Sequence, residues 1–313
     1  MLFRRRRKHR RVRFGSLALL VLLIVGLWGG SRPVGTLDGG GTQAEAHRGA
    51  NREAPENTLP AFARAAENGA WGVETDVFLT KDGIAVLSHD DTIDRCSDGE
   101  GRIADMTLAE LNEYDFGAWF SQAYTDTPIP TVEAFLETVA GLEQINIELK
   151  DNEGGIAAVV TGQVQARGLL EKTVFSSFNL EALVAVTEAC PEAQTAFIYQ
   201  GNSPYALEIL KDAGAFCAKY KLSGLHPVYA CVCRKLLKNA HAAGIAVRPW
   251  TVNESFYAAG LIRLGADAII TDDTPMVEQV REEQPVSGIF SAALLNIAGH
   301  VYPLYEKVKD ILD

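Results

Sequence analysis

Ala46-His47-Arg48-Gly49 is followed by Pro55-Glu56-Asn57-Thr58, then by Glu74-Thr75-Asp76 and His89-Asp90. Two histidines, an arginine and two carboxylates spaced two residues apart thus fall in one short stretch. Each lies in or just after a β-like run. These residue types suit metal-assisted phosphoester chemistry. Carboxylates take a hard divalent cation, an arginine holds phosphate oxygens, and two histidines move protons near neutral pH.

Strand geometry extends the set. Positions i and i+2 of a strand face the same way. Glu74 and Asp76 therefore point together, and so do Glu148 and Lys150 at the end of the run Ile145–Leu149. Glu74, Asp76 and Glu148 are the expected ligands of one divalent cation, Mg²⁺ or Ca²⁺. No cysteine falls at these positions, so a soft metal is not expected. His47 and His89 are the expected acid and base. Arg48, with Lys150 as a second positive charge, is the expected phosphate clamp.

The elements that must position these groups alternate along the chain. Glu45-Ala46-His47 ends a first strand, Thr58–Asn68 has helical spacing, and Trp71–Phe78 is a strand. A turn at Lys81-Asp82-Gly83 leads to a returning strand, Ile84–Ser88. Residues 90–130 break the rhythm and read as an insertion with a short helix near Leu108–Tyr114. Strands are then expected at Ile145–Leu149, Val174–Ser177, Thr195–Tyr199, Phe216–Lys219, Ala246–Trp250 and Ala268–Ile270. Helices are expected at Val132–Ala140, Ile156–Arg167, Leu180–Ala189, Tyr205–Ala213, Arg234–Ala243 and Phe256–Leu264, with Pro275–Glu283 closing. About eight strand–helix units favour a closed α/β barrel, (β/α)₈, over a doubly wound open sheet.

Taken in order, His47-Arg48-Gly49, Pro55-Glu56-Asn57-Thr58, Glu74-x-Asp76, His89-Asp90, Glu148-x-Lys150, Trp250-Thr251-Val252-Asn253 and Gly265 to Asp272 resemble the glycerophosphodiester phosphodiesterase family. The resemblance implies a TIM barrel with a small insertion after the second strand region. It also implies hydrolysis of glycerophosphodiesters to glycerol 3-phosphate and an alcohol. Within that motif set Trp250 is expected to pack on the glycerol. Glu56 is either an outer partner of the metal site or the mate of a nearby base. Asn57 either supports the site or caps the helix that begins at Thr58. Asp272 is read as a helix cap before Pro275. Two other readings stay open: a lysophospholipase D-like activity on lysophospholipids, and a non-catalytic surface-binding barrel.

Charge and hydropathy bound the rest. The 313 residues carry a net charge of −11, yet residues 1–14 hold eight Lys/Arg and no acid. Removing these from the 29 basic residues leaves 21 against 40 acids, so a nucleic-acid partner is not expected. Residues 1–13 read as a basic cytoplasmic tail. Residues 14–30 have no charge and read as a transmembrane anchor or signal segment, with the anchor favoured. Either way the body would lie outside the cytoplasm. Residues 31–42 read as a Gly-rich linker, 43–283 as the barrel, and 284–313 as an amphipathic helical extension. That extension is expected to pack on the barrel or mediate self-association, rather than lie at a membrane interface, because its only bases are Lys307 and Lys309. Five cysteines do not make a disulfide framework.

Overall fold

The computed structural model describes residues 29–151 and 153–312. Among these residues nine strands form one sheet: β1 (Gln43–His47), β2 (Gly72–Leu79), β3 (Ala85–Leu87), β4 (Gln144–Leu149), β5 (Thr173–Ser177), β6 (Gln194–Tyr199), β7 (Gly224–Pro227), β8 (Ala246–Val247) and β9 (Ala268–Thr271). Eight run parallel in the order β8-β7-β6-β5-β4-β2-β1-β9, and β3 folds back antiparallel on β2. At the seam Asp267 N–H donates to Val247 O, Ile270 N–H to Pro249 O and Val252 N–H to Ile270 O, each at 3.0 Å. The sheet is thus a nearly closed (β/α)₈ barrel.

Residue parity divides the barrel wall. On β4 Ile145, Ile147 and Leu149 face outward into the core under the helices, whereas Gln144, Asn146 and Glu148 face the interior. The same alternation sends Ala46, Val73 and Val77 outward, and Glu45, Glu74 and Asp76 inward. Residues 90–130, together with Val86 of β3, form a small subdomain with its own core of Val86, Ile93, Ile103, Leu111, Phe116 and Ile129.

Two of the expected strands differ in the structure. The strand expected at Phe216–Lys219 lies inside the helix Ala213–Tyr220. Phe216 and Cys217 bury one helical face with Ala213, and Asp212 caps the helix by accepting from Ala215 N–H at 3.0 Å. A short apolar run cannot by itself be told from a strand. The real strand, β7, reads Gly-Leu-His-Pro and lacks β-branched residues. The strand expected at Ala246–Trp250 is regular only at Ala246–Val247, with one further bridge from Trp250 to Val228, because Pro249 offers no donor to the ladder. The expected linker at 31–42 is tied to the barrel: Val34 N–H donates to Leu264 O at 2.9 Å, and Leu37 N–H to Asp267 Oδ1.

Residues 1–28, with the basic tail and most of the expected anchor, lie outside the described residues. No described helix is long and apolar enough to cross a membrane. All five cysteines are free, and all but Cys96 are buried.

The lower barrel interior is polar. Glu45, fully buried, accepts from Asn146 Nδ2 at 2.7 Å and pairs with Arg248 Nη1 at 3.3 Å. Arg248 Nη2 donates to Gln144 Oε1 at 2.9 Å, and its guanidinium lies over Trp71. Removing one member of a buried pair leaves the other charge uncompensated, a cost of about 3–5 kcal/mol. Arg248→Met is therefore expected to lower the urea midpoint by that much stability. Adding Glu45→Gln in the same chain is expected to recover a large part of it. Equal midpoints for wild type and Arg248→Met would show that the pair contributes nothing.

Candidate active site

Strand register assembles the site at the C-terminal ends of the barrel strands. His47 pairs with Glu74 across β1 and β2, Asp76 with Glu148 across β2 and β4, and Glu148 with Ser176 across β4 and β5. A cavity of about 310 Å³ opens there. His47, Arg48, Glu74, His89, Glu148, Lys150 and Trp250 all line it, so seven residues expected from sequence share one wall. Asp76 lies buried against that wall, where it meets Lys150 and Arg48.

Glu74, Asp76 and Glu148 present carboxylate oxygens within 4.8 Å of one another, and all three are buried. Lys150 Nζ stands 2.9 Å from both Asp76 Oδ1 and Glu148 Oε1. Arg48 Nε is 3.3 Å from Asp76 Oδ2, and Arg48 N–H donates to Glu74 Oε2 at 3.0 Å. Burial, with Asp76 and then Glu148 beside it, pushes the Glu74 carboxyl well above its usual range. Burial and Asp76 likewise push Glu148 up to about 7. Burial opposes the charge on Asp76 too, but Lys150, Arg48 and His89 outweigh it and hold Asp76 below the carboxylate range. Asp76 Oδ1, although beside Lys150, makes no hydrogen bond of good geometry. A crowded all-oxygen cluster with an unspent lone pair has the donor chemistry of a hard divalent cation site.

Both histidines are held by carboxylates. His47 Nδ1 is 2.7 Å from Asp272 Oδ1, and His89 Nδ1 is 2.7 Å from Asp90 Oδ1. A hydrogen bond at Nδ1 fixes the ring and leaves Nε2 for a ligand. Burial lowers the pKa of His89. Asp76 pulls it up, while Lys150 and Arg48 push it down.

Asp272 is itself held by Asn51 Nδ2 and Asn253 Nδ2, each at 2.6 Å. Burial works against its charge, but His47 and the two amides keep it below the carboxylate range. The expectation that Asp272 caps a helix is therefore corrected. Asp273 is the cap, accepting from Met276 N–H at 3.0 Å. Thr271-Asp272-Asp273 offers two acids in a row, and sequence alone does not assign the two jobs.

Glu56 and Asn57 sit behind the wall. Glu56 pairs with Arg48 at 2.9 Å and with Arg95 at 2.8 Å, so it is the mate of bases rather than a neighbour of the carboxylate cluster. Arg95 Nε also reaches Asp90 Oδ2 at 2.6 Å. Asn57 Nδ2 donates to Asp76 Oδ2 at 2.8 Å, and its Oδ1 accepts from Thr75 Oγ1. It therefore supports Asp76 and does not cap the helix Leu59–Glu67. Arg48 and Asn57 both adopt left-handed backbone, with φ of 57° and 55°. Non-glycine residues hold that conformation only where surroundings enforce it. Gly49, at φ 79°, could not be replaced cheaply, because a Cβ there would stand 2.8 Å from Ala61 C.

Several lining residues were not expected. Asn146 and Ser176 form the floor, joined by a 2.7 Å hydrogen bond from Ser176 Oγ to Asn146 Oδ1. His226 lines the wall from β7, the strand missed in the sequence. Burial, with Arg248 nearby, pushes its pKa well down. Phe178 packs edge-on against Trp250 at 5.4 Å between ring centres. It directly follows β5, and its strand-end position was the available signal.

A family model described as the glycerophosphoryl diester phosphodiesterase family matches residues 47–276. The chain is 34% identical over 232 residues to a glycerophosphodiester phosphodiesterase of Caldanaerobacter subterraneus subsp. tengcongensis, covering 73% of this chain and 93% of that one. It is 31% identical over 236 residues to glycerophosphodiester phosphodiesterase 1 of Rattus norvegicus, covering 67% and 71%. Among solved structures, an Oleispira antarctica phosphodiesterase in complex with the product sn-glycerol-3-phosphate matches with a TM-score of 0.69 at 31% identity, over 79% of this chain and 99% of that one. A glycerophosphodiester phosphodiesterase from Thermotoga maritima matches with a TM-score of 0.64 at 29% identity, over 77% and 98%. With its barrel, its carboxylate cluster and its two carboxylate-held histidines, the chain belongs to the glycerophosphoryl diester phosphodiesterase family.

Proposed function

We propose that the protein hydrolyses glycerophosphodiesters to glycerol 3-phosphate and an alcohol, with a divalent cation and an acid–base pair of histidines. The observation that carries this reading is the convergence of His47, His89, Arg48, Lys150 and the three carboxylates on one cavity. The product-bound Oleispira antarctica relative supports the substrate class.

Glu74, Asp76 and Glu148 would hold Mg²⁺ or Ca²⁺, which supplies positive charge to the phosphoryl oxygens. Arg48 and Lys150 bind the same oxygens and orient the diester. One histidine takes a proton from the attacking oxygen at Nε2, and the other gives a proton to the leaving oxygen. The P–O bond to the alcohol breaks as the new P–O bond forms. The attacking oxygen is water or the neighbouring glycerol hydroxyl. In the second case a cyclic phosphate forms first and water opens it. Asp272 and Asp90 keep the rings aimed, and each stabilises the imidazolium when it forms. Trp250 and Phe178 give the cavity an apolar side for the carbon skeleton.

A second substrate reading, a lysophospholipid, is favoured by Phe178. It is 45% exposed at the rim, where it would meet an acyl-bearing alcohol. Parallel turnover of glycerophosphocholine and lysophosphatidylcholine separates the two. The charged tail and apolar run of residues 1–30 support a body held outside the cytoplasmic membrane.

His47→Ala and His89→Ala are each expected to lower kcat by about 10²–10⁴-fold, with an unchanged melting curve. Asp272→Asn is expected to lower kcat by less and leave KM nearly constant, since it misaims His47 without touching substrate. Unaltered kcat in either alanine variant would refute the acid–base assignment.

Chelator is expected to abolish turnover, with Mg²⁺ or Ca²⁺ restoring it. Glu74→Gln, Asp76→Asn and Glu148→Gln should each raise the cation concentration needed by about 10-fold or more. Full activity in excess chelator would exclude this role.

Cation affinity also has an expected pH dependence. Glu74 and Glu148 hold protons in the free site because their pKa values are raised. The cation must displace those protons. Affinity should therefore rise with pH, up to about tenfold per unit per proton displaced, with the part due to Glu148 flattening above about 7. Calorimetry in buffers of different ionisation enthalpy measures the protons released. Affinity independent of pH between 5 and 7 would contradict the assignment.

A further inference from the structure

The helix Ser287–Leu312 sits on the barrel through its small residues. A Cβ on Gly288 would stand 3.0 Å from Ala259 O, and one on Gly299 would stand 2.7 Å from Val232 O. Ser291, Ala292 and Leu295 are buried on this side. The other face is apolar and uncovered by the described residues. Phe290, Leu294, Ile297, Val301, Leu304 and Tyr305 are each more than half exposed. Spacings of three and four residues set them in one stripe. No Asp, Glu, Lys or Arg occurs from Ser287 to Tyr305. A contiguous apolar surface of this kind marks an interaction site.

What covers the stripe follows from where the chain meets it. Gly30 lies against Ala293 and Asn296 of this same helix. Arg263 Nε donates to Ser31 O at 3.0 Å, and Arg234 Nε to Arg32 O at 2.7 Å. Gly30, which stands two residues after the uncharged run 14–28 in sequence, is thus beside the helix. The side chains of Arg234 and Arg263 gather at that point, in a body that is otherwise acidic. The helix's own sequence is poor in bases. The cationic collar comes from other elements and became visible only in three dimensions.

We infer that this helix lies in the interface of the membrane that the N-terminal run enters. Its stripe meets the acyl boundary, and the arginine collar meets headgroup phosphates. The inference rests on the reading of residues 14–30 as a membrane segment. The far end of the helix gives it a functional consequence. Tyr302 packs over Gly201, where a Cβ would come within 2.5 Å of the ring, and Gly201 follows Gln200 of the cavity wall. The cavity mouth is thereby held near lipid, where a phosphodiester that keeps one acyl chain presents its headgroup.

The test uses the full chain in vesicles of phosphatidylglycerol and phosphatidylethanolamine, with Ile297→Trp as probe. Ala166→Trp is the control, exposed at the end of the helix Ile156–Ala166 on the β4–β5 side. The fluorescence added at 297, over wild type, is expected to shift to the blue. It should be quenched by acyl-brominated lipid and shielded from iodide, whereas that at 166 stays open to iodide. The variant Leu294→Glu/Ile297→Glu should keep wild-type turnover of soluble glycerophosphodiesters and lose turnover of vesicle-borne lysophospholipid. A chain that floats with vesicles while position 297 stays open to iodide overturns the inference alone. So does cross-linking of two copies through 297. A chain that does not float overturns the membrane-segment reading with it. Absent turnover of every diester with position 297 quenched leaves the inference standing and refutes the proposed activity.

Discussion

Three carboxylates forced together in a buried place govern this site. The register that sets Asp76 opposite Glu148, and the parity that turns Glu74 the same way, leave no freedom to separate them. Like charges in a poorly hydrated pocket repel strongly, so the site needs cations and donors around it. Lys150, Arg48, the Arg48 N–H and Asn57 meet that need. The left-handed backbone at Arg48 and Asn57 follows from the same demand. Those conformations turn one N–H and one amide toward the carboxylates.

From this cluster ion pairs run outward. Asp76 meets Arg48, Arg48 meets Glu56, Glu56 meets Arg95, Arg95 meets Asp90, and Asp90 holds His89. Arg95 comes from the insertion, so that segment completes one histidine's support rather than merely decorating the barrel. The other histidine is supported across the β1–β9 boundary, where Asp272 gathers His47, Asn51 and Asn253. Each ring is therefore aimed by a carboxylate from a different part of the chain. The two supports do not share a residue.

Whatever obeyed period two was readable in the sequence. Glu74, Asp76, Glu148 and Lys150 could be placed on one face because a strand leaves only two faces to choose from. The helices Leu180–Ala189 and Ile156–Ala166 were readable from their buried spacing. What escaped depended on contacts between distant segments. Asp272 and Asp273 are chemically identical, and only the position of His47 tells which one holds the ring and which one caps. Strand β7 carries Gly, His and Pro, and it is a strand because β6 and β8 flank it. With β7 misplaced, His226 could not be put in the wall. Arg248 was unreadable as the partner of Glu45, since the two are joined only by closure of the barrel.

The sign of the charge in the cavity links cation and substrate in the proposed reaction. Fully ionised, Glu74, Asp76 and Glu148 outweigh Arg48 and Lys150 by one negative charge, so a phosphodiester anion meets no net attraction. A bound divalent cation reverses the balance to one positive charge. Phe178 and Trp250 give one side of the cavity an apolar lining, which strengthens either sign. The rest of the body is acidic and cannot draw the anion by its overall field. Attraction must therefore be local, created at the carboxylate cluster. Protons held on Glu74 and Glu148 would bring the cavity to the same one positive charge, but a proton on a carboxyl offers a phosphoryl oxygen only a hydrogen bond. In the proposed reaction the cation would therefore add to charge reversal, which protons could also achieve, a direct partner for the phosphoryl oxygens that protons cannot be.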